Sequence, residues 1–145
     1  MTSLLRTDES VKKDVEAEVK YDPSIQHHES IAVTVKEGIV TLAGTTNTYM
    51  DSYYAEKAAK RVNGVKAVAN DIQVKVTVDR LDTEIAADAV KSIAREIPVA
   101  ADKIKVIVKN GSITLEGTVE WHHQKEWAER AVRSIPGVKN VSNVI

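Results

Sequence analysis

The residues with the most distinctive chemistry are Trp121 and Trp127, the two tryptophans of the chain, set among Lys125, Arg130 and Arg133. An indole beside cations has the composition of an interfacial contact, in which the ring enters a lipid headgroup layer and the cations meet anionic phosphates. The competing reading is packing. Trp127 stands one turn before Ala131 and would lie on the edge of a core, with Trp121 covering a strand-to-helix corner. Tyr49, Met50, Tyr53 and Tyr54 near Lys57, Lys60 and Arg61 form a milder version of the same surface earlier in the chain. These aromatics are either one shared contact face or part of a seam between two small domains that need mutual burial.

Other chemistries find less support. The histidines occur as His27-His28 and His122-His123, and adjacent helical residues do not converge on a metal. His122 and Glu126 have the i, i+4 spacing but no third ligand, so no metal or other cofactor is expected. The chain has no cysteine, which excludes disulfides, thiolate zinc sites and cysteine nucleophiles. It carries no nucleophile elbow, phosphate-cradling glycine loop or metalloprotease helix, and carboxylates such as Asp14, Glu16 and Glu18 interleave with lysines as a solvated face. A non-catalytic role is expected. Residues 1–79 hold 10 Lys/Arg against 12 Asp/Glu and residues 80–145 hold 10 against 9, so no basic field points to nucleic acid. The one apolar run near the N-terminus is Leu4-Leu5, too short for a signal-peptide core, and no stretch reaches membrane-spanning length. As written, the expectation is a cytoplasmic protein that does not span a membrane, or a periplasmic one if a leader has been removed.

The elements that must position these residues come in two copies. All six glycines pair at one offset of 73 residues: Gly38 with Gly111, Gly44 with Gly117, Gly64 with Gly137. Val35-Lys36-Glu37-Gly38 and Thr41-Leu42-Ala43-Gly44-Thr45 match Val108-Lys109-Asn110-Gly111 and Thr114-Leu115-Glu116-Gly117-Thr118. Each copy opens with an amphipathic helix, Val11, Val15, Val19 after a candidate N-cap Asp8 and Ile85, Ala89, Ile93 after Asp82, closed by Pro23 and Pro98. Alternating Ile31, Val33, Val35 and Ile104, Val106, Val108 predict strands, turned into partner strands at Glu37-Gly38 and Asn110-Gly111. Second helices are predicted over 49–63 and 122–135. Their inner stripes are Ala55, Ala58, Ala59, Val62 and Ala128, Ala131, Val132, Ile135, with Gly44 and Gly117 allowing close helix–sheet approach or a bulge and Gly64 and Gly137 as C′ residues. Last strands begin at Val65, running on through Val78, and at Val138. The second copy stops at Ile145, the equivalent of Ile72, which is compatible with a truncated final strand and a third copy in a longer parent protein.

This order of elements, with Gly38-Ile39-Val40-Thr41-Leu42-Ala43-Gly44 as core motif and Gly64-Val65-Lys66-Ala67-Val68-Ala69-Asn70 as closing motif, resembles the BON domain. The second copy repeats the close as Gly137-Val138-Lys139-Asn140-Val141-Ser142-Asn143. The expected fold is α+β: two tandem αββαβ domains, 1–79 and 80–145, each a three-stranded mixed sheet with two helices on one face and joined by Asp79-Arg80-Leu81-Asp82. The resemblance is to the OsmY-like bacterial branch, and it implies a non-enzymatic stress-associated binding module, with anionic phospholipid surfaces as the leading ligand. Protein–protein interaction and potassium binding are the alternatives, and the oligomeric state is left open.

Overall fold

Thr7 starts the first helix. Its hydroxyl accepts the Ser10 N–H at 3.1 Å, and the helix α1 runs Asp8–Tyr21 with Val11, Val15 and Val19 buried on one stripe. In the computed structural model, which describes residues 6–76 and 79–145, α1 is followed by β1 (Ile31–Lys36), β2 (Ile39–Thr46), α2 (Tyr49–Lys60) and β3 (Ala67–Val74). The second copy repeats this as α3 (Asp82–Glu96), β4 (Ile104–Lys109), β5 (Ser112–Gly117), α4 (His122–Val132) and β6 (Asn140–Asn143). Each copy has one three-stranded mixed sheet, with the hairpin antiparallel and the third strand parallel to the central one. The chain divides into two compact units, the second beginning at Val76.

Side-chain alternation decides which face of each sheet is covered. In the first unit Val33, Val40, Leu42 and Ile72 point to the helices and are buried with Ala55, Ala58 and Ala59 of α2. In the second, Ile104, Ile113, Leu115 and Val141 do the same with Ala128 and Val132. The alanines let the helices sit close to the sheet, and residues such as Thr34 and Lys105 on the other face are exposed.

Several local roles differ from the sequence expectations. Asp8 and Asp82 are the first helical residues, not the N-caps, which are Thr7 and Leu81. Their carboxylates instead accept backbone N–H groups of the hairpin turns: Glu37 at 2.8 Å and Gly38 at 3.1 Å for Asp8, Asn110 at 2.9 Å and Gly111 at 3.0 Å for Asp82. Both residues of each turn have positive φ, the two-residue turn whose twist suits a hairpin, and this leaves the turn N–H groups pointing outward for the aspartate. Gly44 and Gly117 serve no helix. A Cβ there would come within 2.0 Å of the carbonyl oxygen of Ser30 or Lys103, the backbone entering the first strand of each hairpin.

Gly64 and Gly137 are not C′ residues, because α2 ends at Lys60 and α4 at Val132, with Arg61 and Arg133 as C-caps. They form later turns with positive φ that press against the start of the opening helix, where a Cβ at Gly64 would lie 3.1 Å from Val11 and one at Gly137 would lie 3.2 Å from Arg80. Arginines close these corners. Arg6 pairs with Asp14 and donates to the Asn63 carbonyl at 2.8 Å; Arg80 pairs with Asp88 at 2.7 Å and donates to the Pro136 carbonyl at 3.1 Å. Arg80, Leu81 and Asp82 thus belong to the second unit and not to a linker. β3 begins at Ala67, not Val65, and ends at Val74; the expected continuation through Thr77 and Val78 lies outside the described residues. β6 is four residues long, and the Val144 amide extends its pairing to the Leu115 carbonyl at 2.9 Å.

Candidate functional site: the aromatic face of the second helix

Trp121 has no side-chain acceptor with which to cap α4. Gln124 compensates by reaching back, its Oε1 accepting the Trp121 amide at 3.3 Å. This sets the indole outside the first turn, where it is 59% exposed, and Trp127 is 43% exposed. Both rings are thus partly covered by the domain and present the rest of their surface to solvent. His123 joins them. Its ring is stacked near-parallel to Trp121 at 6.4 Å between centroids and meets Trp127 edge-on at 4.7 Å, a continuous aromatic surface on the outside of the domain. The i, i+4 spacing of His123 and Trp127 gives one half of this bridge, and the other half depends on Trp121 lying just outside the helix.

The cations divide. Arg130, three residues on from Trp127, shares its exposed face. Lys125 lies about 160° around the helix from Trp127 at 3.6 residues per turn and is half-buried, its carbonyl accepting the Asn143 amide at 2.8 Å. Arg133 is half-buried at the C-cap. Glu129, like Lys125 about 160° from Trp127, is half-buried, whereas Glu126 falls within the outer arc and is 3.3 Å from His122. The face is thus aromatic with balanced charge rather than strongly basic.

The first copy does not reproduce this surface. Tyr49, Tyr53 and Tyr54 are half-buried, with Tyr49–Tyr53 centroids at 6.1 Å and Tyr53–Tyr54 edge-on at 5.2 Å. Its cations are engaged: Lys57 lies 5.1 Å from the Tyr53 ring centroid, Lys60 is 3.2 Å from Glu56, and Arg61 is 3.2 Å from both Glu18 and Asp22. Burial alone would lower the Arg61 pKa, but hydrogen bonds to Asp22 and Glu18 outweigh it and raise it above its ordinary value. Arg61 is therefore a tie between α1 and α2 and one wall of a cleft of about 480 Å³ lined also by Tyr21, Pro23 and Tyr54.

The closing asparagines have a structural task that the motif alone does not reveal. Asn70 donates to the Ser52 hydroxyl at 3.1 Å while its carbonyl oxygen accepts the Ile72 amide at 3.1 Å, and Asn143 joins Lys125 and Ile145 in the same way. Each ties the last strand to the second helix. Among the described residues no three His, Asp or Glu side chains gather as metal ligands, and no helix is long and apolar enough to cross a membrane.

Two α+β units in tandem, each closed by the same glycine turns and asparagine tie, define the class of protein as a small-domain repeat. The BON domain family matches residues 7–76 and 81–145, and the chain belongs to that family. Osmotically-inducible protein Y of Escherichia coli (strain K12) is 29% identical over 119 residues, covering 78% of this chain; the chain spans 59% of that relative's length. Two structures of CdsD, a structural protein of the type III secretion system of Chlamydia trachomatis, align at 15% and 17% identity. They cover 96% of this chain in each case and 66% and 62% of theirs. Their TM-scores, 0.37 and 0.34, are too low to support an argument about shape.

Proposed function

We propose that this BON protein is a non-enzymatic binding module of osmotic or envelope stress that docks on anionic phospholipid surfaces through α4. The exposed Trp121–His123–Trp127 surface carries this reading. Two large amphipathic rings left in water beside a core that could have used them suit a site whose other half is an interface, where the indole body is buried and its N–H stays among headgroups. Arg130, on the same exposed face, would meet a phosphate, while Glu126 beside it keeps the electrostatic share modest. The stress association rests on family membership and on the osmotically inducible relative.

The test is flotation of the whole chain with anionic and with zwitterionic liposomes at low and moderate salt, alongside Trp121→Ala, Trp127→Ala and Arg130→Ala, with circular dichroism to verify folding. Trp127→Ala is expected to weaken binding about tenfold through lost apolar burial. Arg130→Ala should weaken it about fivefold, the effect of one cation near an anionic surface, and Lys57→Ala should leave it unchanged. If folded wild type binds neither liposome, the lipid reading fails and the same surface becomes the place to look for a protein partner.

A further inference from the structure

The two copies are not chemically equivalent along the open edge of their sheets. Between α3 and β4 lies a groove of about 280 Å³ lined by Val90, Ile93, Ala94, Ala101, Ile104 and Val106, with Asp102 as its one ionisable lining residue. Val90 is 57% exposed. The helices correspond at an offset of 74 residues, Val11 to Ile85 and Val19 to Ile93, and the strands at 73. Glu16, Lys20 and His28 therefore stand in the first copy where Val90, Ala94 and Ala101 stand in the second. One scaffold has charges along this edge, the other an apolar trough.

The trough borders a strand edge. Among the described residues β4 pairs with β5 alone, so alternate residues of β4 turn their N–H and C=O groups away from the sheet. Ile104, Val106 and Val108 point toward the helices; Lys105, Ile107 and Lys109 point to the open face, where all three are exposed. A guest strand added to β4 would send every second side chain into the groove and hold the intervening ones beside Lys105, Ile107 and Lys109. Lysine on an edge strand protects against self-pairing, and here Lys103, Lys105 and Lys109 would face the same lysines of a second copy. Protection alone does not call for an apolar trough beside the edge.

We propose that the second copy binds, by strand addition to β4, an extended peptide segment that alternates apolar with acidic residues. The apolar residues fill the groove between α3 and β4, and the acidic ones pair with Lys105 and Lys109. This site is separate from the aromatic face of α4 and does not depend on lipid binding.

The probe is a fluorescein-labelled peptide of sequence EVEVEVE with an amidated end, titrated by anisotropy against the whole chain, with KVKVKVK as its charge-reversed counterpart. Val90→Glu with Ala94→Lys transplants the first copy's charges onto exposed positions of α3, and Lys105→Glu with Lys109→Glu reverses the strand's open face. Expected results are binding of EVEVEVE, amide NMR shifts centred on β4 and α3, and at least tenfold weaker binding by each double variant. KVKVKVK should not bind wild type and should bind the lysine-reversed protein. The proposal is overturned by absence of EVEVEVE binding at millimolar concentration, by undiminished binding to the folded Val90→Glu/Ala94→Lys variant, or by shifts centred on the first copy. A peptide-free dimer in sedimentation that the same variant abolishes would overturn it in favour of self-association.

Discussion

Glu37 and Asn110 occupy the same corner of the two hairpins with φ of 52° and 50°. Asparagine tolerates that left-handed region and glutamate does not share its ease there. Glu37→Asn is therefore expected to stabilise the first domain by about 0.5–1 kcal/mol, and Asn110→Glu to destabilise the second by a similar amount, both read from urea midpoints. The glycines inside the second strands leave no such latitude. With φ of 119° and 138° and a carbonyl oxygen 2.0 Å from the missing Cβ, Gly44→Ala and Gly117→Ala should each cost about 3 kcal/mol. A loss below about 1 kcal/mol at Gly117 would mean that the Lys103 carbonyl moves aside freely.

At the scale of elements, periodicity made the order of helices and strands readable, because valines four apart on α1 and alternating aliphatics on β1 and β4 report burial directly. The aspartates show where such reading stops. An Asp at a helix start satisfies the preference for an N-cap, and nothing in the local pattern says that its carboxylate turns instead to a hairpin some thirty residues on. The assignment is testable by comparing neighbours. Thr7→Ala should cost about 1 kcal/mol as loss of a cap, and Asp8→Ala about 2 kcal/mol as loss of a charged acceptor from two amides. A silent Thr7→Ala in thermal unfolding would return the cap to Asp8. The aromatic face was legible only in part, as a composition. The exposure of Trp127 follows from its phase on α4 relative to Ala128 and Val132, and the bridging ring of His123 follows from its i, i+4 spacing to Trp127 and from Trp121 lying just outside the first turn.

For the whole molecule, the equal offset of six glycines was enough to reveal duplication, and each unit carries its own full set of ties: arginine corner, aspartate turn clamp, asparagine brace. What the repeat concealed was divergence, since Lys57, Lys60 and Arg61 stand near tyrosines in sequence yet are bound within their own domain, while α4 turns its tryptophans outward. The aspartate clamp also bears on the order in which each unit assembles. The hairpin closes across a two-residue turn, whereas the clamp spans 29 residues from Asp8 to Glu37 and can form only on a turn already made. Loop closure of that length is a late reward. Asp8 should accordingly be absent from the rate-limiting state: in stopped-flow chevrons of the Asp8→Ala chain, unfolding accelerates while refolding keeps its speed. The clamp would then act as a latch on the lifetime of the folded state.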